Sequence, residues 1–461
     1  MKKIFTYILF AQLIFLSCKK SEVEPIFEES ANKRVTTVLD SYKKQLVGSE
    51  FGWKGVYYPD GGNAGGYTFY LKFDATGKLT MYSDIDEINY SNGNPPAFSN
   101  GYDKAFETTY QVKAQQTPTL VFDSYSYLTE LVNPDYNSGS GQNADLELSF
   151  QSVTADKITL IGNVNKTQMI LTKLTKIESE SLTKGGLASV FKGTSNFINT
   201  PKFIILTFPT GEKTDVVIDL VAKQLALYFV NAKNEPDLVS SAFSVTATGI
   251  QLKEPIKLYG ITFQELFWDD VKKIYYLNVG GRRIDLAYSS KPGLPFYYAL
   301  GTLFEGFNMS PNVPTQTAEY KALYERIRSN VIALSTTPPV RVIGNVYLQY
   351  LTEQGVFVLV VEYRRTNPNG SLLFNGASVL YYRPSLDSRG NLSFGKSYQN
   401  ATLDANGLFL GASGIVLAGI KPLTDIIENN SFQWDYDPVA ERTAILKSNG
   451  TPSISIKGIL F

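Results

Sequence analysis

Apolar and polar residues alternate along much of this chain with a period of two, the spacing of strands that bury one face. The run Tyr67-Thr68-Phe69-Tyr70-Leu71-Lys72-Phe73 is the clearest case. Asp74-Ala75-Thr76-Gly77 reads as a hairpin turn into a further strand at 78–82. Short strands are also expected at 146–150, 202–208, 215–220, 224–230, 274–279, 356–363, 379–383, 432–436 and 453–457. Helical spacing surfaces between them. Ala31, Val35, Val38, Leu39, Tyr42 and Leu46 form one stripe, with Lys43 and Lys44 near its end and Gly48 as a stop signal. Tyr320, Leu323, Tyr324, Ile327 and Val331 form another behind Pro311 and Pro314, and a third pattern at 182–191 is interrupted by Gly185-Gly186.

Self-similarity organises these elements. Thr117-Pro118-Thr119-Leu120-Val121-Phe122 leads to Leu128-Thr129-Glu130-Leu131, Thr248-Gly249-Ile250-Gln251-Leu252 leads to Phe263-Gln264-Glu265-Leu266, and Asn406-Gly407-Leu408-Phe409-Leu410 leads to Leu423-Thr424-Asp425-Ile426. The expectation is an α+β, β-rich chain of three related modules of antiparallel strands, each with a helix near its start. Module 1 is placed at 28–174, module 2 at 175–310 and module 3 at 311–461. The recurring acids Glu130, Glu265 and Asp425 are expected to share a structural job, ordering a turn or helix end.

The first 18 residues follow a different pattern. Lys2 and Lys3 precede a 13-residue, mostly apolar run from Ile4 to Leu16, then Ser17 and Cys18, the single cysteine. The run is short of the roughly 20 residues that span a bilayer as a helix, so 1–18 reads as a lipoprotein signal with Cys18 lipidated. Residues 19–27 form a polar tether. The expected location is the outer membrane, lipid-anchored, with the modules exposed at the cell surface.

Composition narrows the chemistry. The 43 basic and 43 acidic residues cancel, which leaves no basic field for nucleic acid. No histidine is present, which removes Ser-His-Asp and Cys-His catalysis and histidine ligation of metals. No cofactor or metal site is expected. Asp135-Tyr136-Asn137-Ser138-Gly139 begins like a calcium loop but has Ser140 and Leu146 where an EF-hand needs Gly and Glu. The Gly61–Gly66 stretch leads into a strand and not a helix, so it reads as a flexible hairpin tip and not a phosphate cradle.

Paired acids at Asp269-Asp270 and Asp435/Asp437 stand beside Trp268 and Trp434. A glycosidase could use two carboxylates across such a ring, provided they face each other over a cleft. Aromatics are abundant, with 3 Trp, 29 Tyr and 28 Phe, and most are expected in the core. Trp53, Tyr57, Tyr58, Trp268 and Trp434 are the candidate ligand-binding residues, because adjacent aromatics on a strand point to opposite faces and exposed rings stack on sugars or peptides.

Three stretches carry a family likeness: Phe27-Glu28-Glu29-Ser30-Ala31-Asn32-Lys33-Arg34, Gly52-Trp53-Lys54-Gly55-Val56-Tyr57-Tyr58-Pro59, and Gly66-Tyr67-Thr68-Phe69-Tyr70-Leu71-Lys72-Phe73. Together they resemble a Bacteroidota outer-membrane lipoprotein family classed as a domain of unknown function. The resemblance implies accessory lipoproteins beside TonB-dependent transporters with SusD-like receptors, and supplies no catalytic residues. A non-catalytic binding protein assisting glycan or peptide capture is the function expected. A carboxylate-dependent glycan hydrolase and a structural or adhesive surface protein are the alternatives.

Overall fold

The computed structural model describes residues 29–63, 65–85, 102–134, 141–334, 340–367, 369–396 and 415–461. Cys18, the tether 19–27, the calcium-like stretch 135–139 and the repeat segment 406–410 lie outside the described residues. The chain is β-rich and forms three closed antiparallel barrels of eight strands, each a simple meander in which every strand pairs with its sequence neighbours. Barrel 1 closes where Gly55 of its first strand (Trp53–Tyr57) faces Leu171 of its eighth (Gln168–Lys173). Barrel 2 closes at Leu206 and Leu286, and barrel 3 at Phe307 and Leu460.

Eight strands leave an interior about wide enough for side chains to fill. Alternation supplies the filling: Trp53 and Tyr57, then Phe69 and Leu71, point inward in barrel 1 and are fully buried. In the second strand of that barrel (Tyr67–Phe73) six of seven residues are buried, with Lys72 the exception. Tyr67, Phe69, Leu71 and Phe73 face the barrel 1 core, whereas Tyr70 belongs to the core of barrel 2, so this strand has a wall on each side.

Helices α1 (Ala31–Val47), α2 (Tyr127–Val132), α3 (Lys176–Thr183), α4 (Gly186–Ile198), α5 (Phe296–Ala299), α6 (Ala318–Leu334), α7 (Ile415–Gly419) and α8 (Lys421–Asn429) pack around the barrels. Ser30 caps α1 by accepting from the Lys33 amide. Only the C-terminal part of its stripe is buried, at Leu46, while Val35 and Val38 are exposed. The stripe of α6 is fully used: Tyr320, Leu323, Tyr324, Ile327 and Val331 all enter the barrel 3 core. This helix follows the short first strand of its barrel (Gly306–Asn308), whereas α1 and α4 precede theirs.

The joint between barrels 1 and 2 is built on a buried ion pair. Asp84 accepts from Lys223 Nζ at 2.7 Å, from Thr68 N at 2.8 Å and from Val245 N at 3.1 Å, and neither charged side chain is exposed. Burial pushes the Asp84 carboxyl up, against the downward pull of Lys223 and the two amides. The Lys223 ammonium also lies 4.0 Å from the centroid of the Tyr67 ring. Gly65 and Gly66 belong to this joint and not to a flexible tip. A Cβ at Gly65 would stand 2.5 Å from that of Lys223, and Gly66 donates its amide to Phe243 O. The glycines let two backbones meet.

The joint between barrels 2 and 3 is aromatic. Phe203 meets Phe304 and Tyr436 edge-on, and Lys202 pairs with Glu441 at 3.0 Å across the rim.

The repeat is real at the level of three barrels, but the acids do not share one place. Glu130 and Asp425 lie on α2 and α8, each linking a fifth strand to a sixth. In barrel 2 that link is only the turn at Tyr259 and Gly260, and Glu265 lies on the sixth strand itself (Ile261–Asp269), opposite Gln251. Similar letters therefore fell on a helix twice and a strand once.

Candidate functional site

The inner face of the sixth strand carries a large aromatic near one mouth of every barrel: Phe150 (strand Glu147–Val153), Trp268 (Ile261–Asp269) and Trp434 (Ser431–Tyr436). The helix that arrives just before each first strand lays an aromatic on it. Tyr42 of α1 stacks on Phe150 at 4.4 Å, Phe197 of α4 meets Trp268 edge-on at 6.2 Å, and Phe296 of α5 stacks on Trp434 at 4.1 Å. The helices shorten in that order, from 17 residues to 13 to 4, so the third lid covers its mouth least.

At the barrel 3 mouth the result is a cavity of about 500 Å³. Trp434, Phe296, Leu300, Tyr350 and Phe357 line its inner part, with Tyr297 at the opening. The turn between the fourth strand (Leu372–Leu386) and the fifth (Leu392–Lys396) supplies Ser385, Leu386 and Arg389 at the rim. Tyr297 is 43% and Leu386 50% exposed, so two large apolar side chains stand in water at the opening. The Trp434 Nε1–H is shielded from solvent and meets no acceptor among the described residues. Asp215 fixes the short lid by accepting from Gly293 N and Leu294 N at 2.9 and 2.8 Å. Burial raises this carboxyl to about 6 despite those two amides. Tyr298 adds a hydrogen bond to Asn234 O at 2.6 Å.

At the barrel 2 mouth a smaller cleft of about 360 Å³ lies against α4. Here the tryptophan is satisfied: Trp268 Nε1 donates to Asp270 at 3.2 Å, and Asp270 also accepts from Ser189 and Lys273. Gly193 of α4 allows the approach, since a Cβ there would stand 2.4 Å from the indole.

The other sequence candidates are not part of either mouth cavity. Trp53 is fully buried and donates its indole N–H to Leu46 O at 2.8 Å, tying α1 to the barrel. Tyr57 is equally buried, its hydroxyl held by Thr167 and the Asp145 amide, and desolvation lifts it to about 12. Neither has a ring face for a ligand; both are core, because inward alternation in a closed barrel has no solvent side. Tyr58 points outward into the joint and donates to Gln251 O.

The paired acids serve turns. Asp269 accepts from Val271 N and Lys272 N and pairs with Arg283 of the eighth strand, and Asp437 accepts from Val439 N and Ala440 N and pairs with Lys457 of the eighth strand. Each closes the hairpin between sixth and seventh strands. Burial alone would raise Asp437, but Lys457 and the two turn amides outweigh it and bring it down to about 2. Among the described residues no three acids gather as a metal site, and no helix is long and apolar enough to cross a membrane. Sequence reasoning missed Phe296, Arg389 and Leu386, since the ring that Phe296 stacks on, Trp434, is distant in the chain and no local motif marks the other two.

The fold thus defines a class: three consecutive meander barrels with helical lids at their mouths. Residues 23–270 match a family described as a domain of unknown function (DUF4302), and the chain belongs to that family. The match spans barrel 1 and the first six strands of barrel 2. No curated protein matches. Among solved structures, transferrin binding protein B of Neisseria meningitidis serogroup B is similar at 8% identity and a TM-score of 0.12, over 89% of this chain and 76% of that one. A DNA polymerase III beta sliding clamp from Bartonella birtlesii is similar at 10% identity and 0.10, over 93% and 97%. Superpositions this poor carry no argument about fold or function.

Proposed function

We propose that this chain is a lipid-anchored envelope protein, exposed at the outer-membrane surface, that binds a glycan or peptide nutrient without transforming it and hands it to an uptake system. The barrel 3 mouth is its ligand site. The observation that carries the reading is the 500 Å³ cavity with Trp434 in its wall and Tyr297 and Leu386 exposed at its rim. Cavities of this size in barrel mouths, lined by rings with a few polar groups, suit small organic ligands.

A binding role fits better than a hydrolase because the acids beside the tryptophans are engaged elsewhere. Asp437 and Asp269 are held by their turns and cations, Asp270 by three donors, and no Asp or Glu is among the described residues that line this cavity. The anchor is Cys18, and the partner implied by the family resemblance is a TonB-dependent transporter with a SusD-like receptor. The test is a glycan and peptide binding screen on the chain beginning after Glu24, with product analysis. Binding lost in Trp434→Ala supports the reading, and turnover of any bound polymer overturns it. Cys18→Ala should move the protein from the membrane to the soluble fraction.

A further inference from the structure

We infer, on the basis of that binding reading, that the barrel 3 mouth takes a peptide presenting an apolar side chain next to a carboxylate, and not a sugar. A sugar ring carries several hydroxyls, each of which needs a partner once water is expelled. This wall has few to give. Its lining is mostly Phe296, Phe357, Leu300, Leu392 and Trp434, the indole N–H is turned away from solvent, and among the described residues side-chain hydroxyls come only from Tyr297, Tyr350 and Ser385. Such a surface accepts an apolar or aromatic side chain and leaves most of a sugar's hydroxyls unsatisfied.

The charge at the rim selects the other half of the ligand. Arg389 is exposed and belongs to no salt bridge among the described residues, although its charge acts on the Asp387 carboxylate of the same turn. Its neighbour Asp387 spends its carboxylate on the turn, accepting from the amides of Arg389 and Asn391 and from Asn391 Nδ2. The turn thereby holds Arg389 at the opening while its acid is occupied. A guanidinium in this position matches a carboxylate through two parallel hydrogen bonds. Leu386, half exposed beside it, extends the apolar surface out to that charge.

The test is calorimetry on the full-length chain in detergent with three probes: acetyl-Leu-Phe with a free carboxylate, the same peptide as its amide, and tetragalacturonate. The acid should bind about tenfold tighter than the amide, the gain expected of one charge-assisted contact. Arg389→Gln should bring the acid down to the amide's affinity and leave the amide unchanged, while Leu386→Ser weakens both peptides. Both positions are exposed, so melting curves should match the parent. Equal affinity for acid and amide overturns the carboxylate preference. Tetragalacturonate bound in preference to both peptides overturns the peptide assignment and leaves the wider binding reading standing. No heat from either peptide at about 1 mM overturns the proposal as well, and failure of the whole glycan and peptide screen overturns the wider reading with it.

Discussion

Barrels 2 and 3 carry a tryptophan at the same topological place, each met by a helix that precedes the first strand, and yet one mouth holds a cleft of about 360 Å³ and the other a cavity of about 500 Å³. Over Trp268 lies the 13-residue α4, with Gly193 pressed against the ring and Asp270 receiving its N–H. Over Trp434 lies the four-residue α5, which offers Phe296 for stacking and no acceptor at all. The difference teaches that the barrel supplies the aromatic floor, while the length of the lid decides how much of that floor is covered. The barrels share one architecture, and the shorter third helix leaves the larger space.

The turn acids sharpen the comparison first, because they sit at equivalent places with unequal burial. Lys457→Met strands the buried Asp437 without its cation and should cost about 3 kcal/mol, read as a shift in the denaturation midpoint. Arg283→Met, beside the more exposed Asp269, should barely move it. The pH profile carries the same signature. The Asp437 carboxyl is held near 2 against its ordinary 3.8, so its stabilisation is complete above about pH 4 and is lost as pH falls toward 2. Asp215 acts with the opposite sign: raised to about 6, it makes stability fall as pH rises from about 4 to 6. Lys457→Met should flatten the acid limb and Asp215→Asn the other; unchanged profiles would refute both assignments.

Gly193 breaks the comparison from the other side. Gly193→Ala drives a methyl to within 2.4 Å of the Trp268 ring and should destabilise by about 2 kcal/mol. Adding Trp268→Leu should recover most of that loss, since the clash needs the indole. A double variant no more stable than Gly193→Ala alone would show that the helix, and not the ring, sets the limit.

Much of the barrel architecture was legible in the chain. The period-two runs at 67–73 and 224–230 became strands, and Asp74-Ala75-Thr76-Gly77 became the turn between second and third strands, because alternation and turn chemistry act over a few residues. Closure was not legible, since the pairing of Gly55 with Leu171 spans the whole module and leaves no local trace. For the same reason Trp53 and Tyr57, which look outward-capable in sequence, proved to be core. Trp268 and Trp434 were visible as tryptophans beside acids, but the acids were turn residues, and what distinguishes the two sites is a lid encoded elsewhere. Arg389 was invisible, as an ordinary arginine in a polar turn.

The finest test of the difference between the mouths exchanges one ring for another. Trp434→Phe keeps an aromatic under Phe296, gives up some contact, and removes an N–H that is buried without an acceptor. A desolvated, unpaired donor costs about 1–3 kcal/mol, so its removal offsets the lost contact and the variant should match the parent within about 1 kcal/mol. Trp268→Phe surrenders similar contact and also the bond to Asp270, with nothing regained. It should therefore be the less stable of the two in urea melts. The reverse order would mean that the Trp434 N–H does find an acceptor, and the two mouths would then differ in the length of their lids alone.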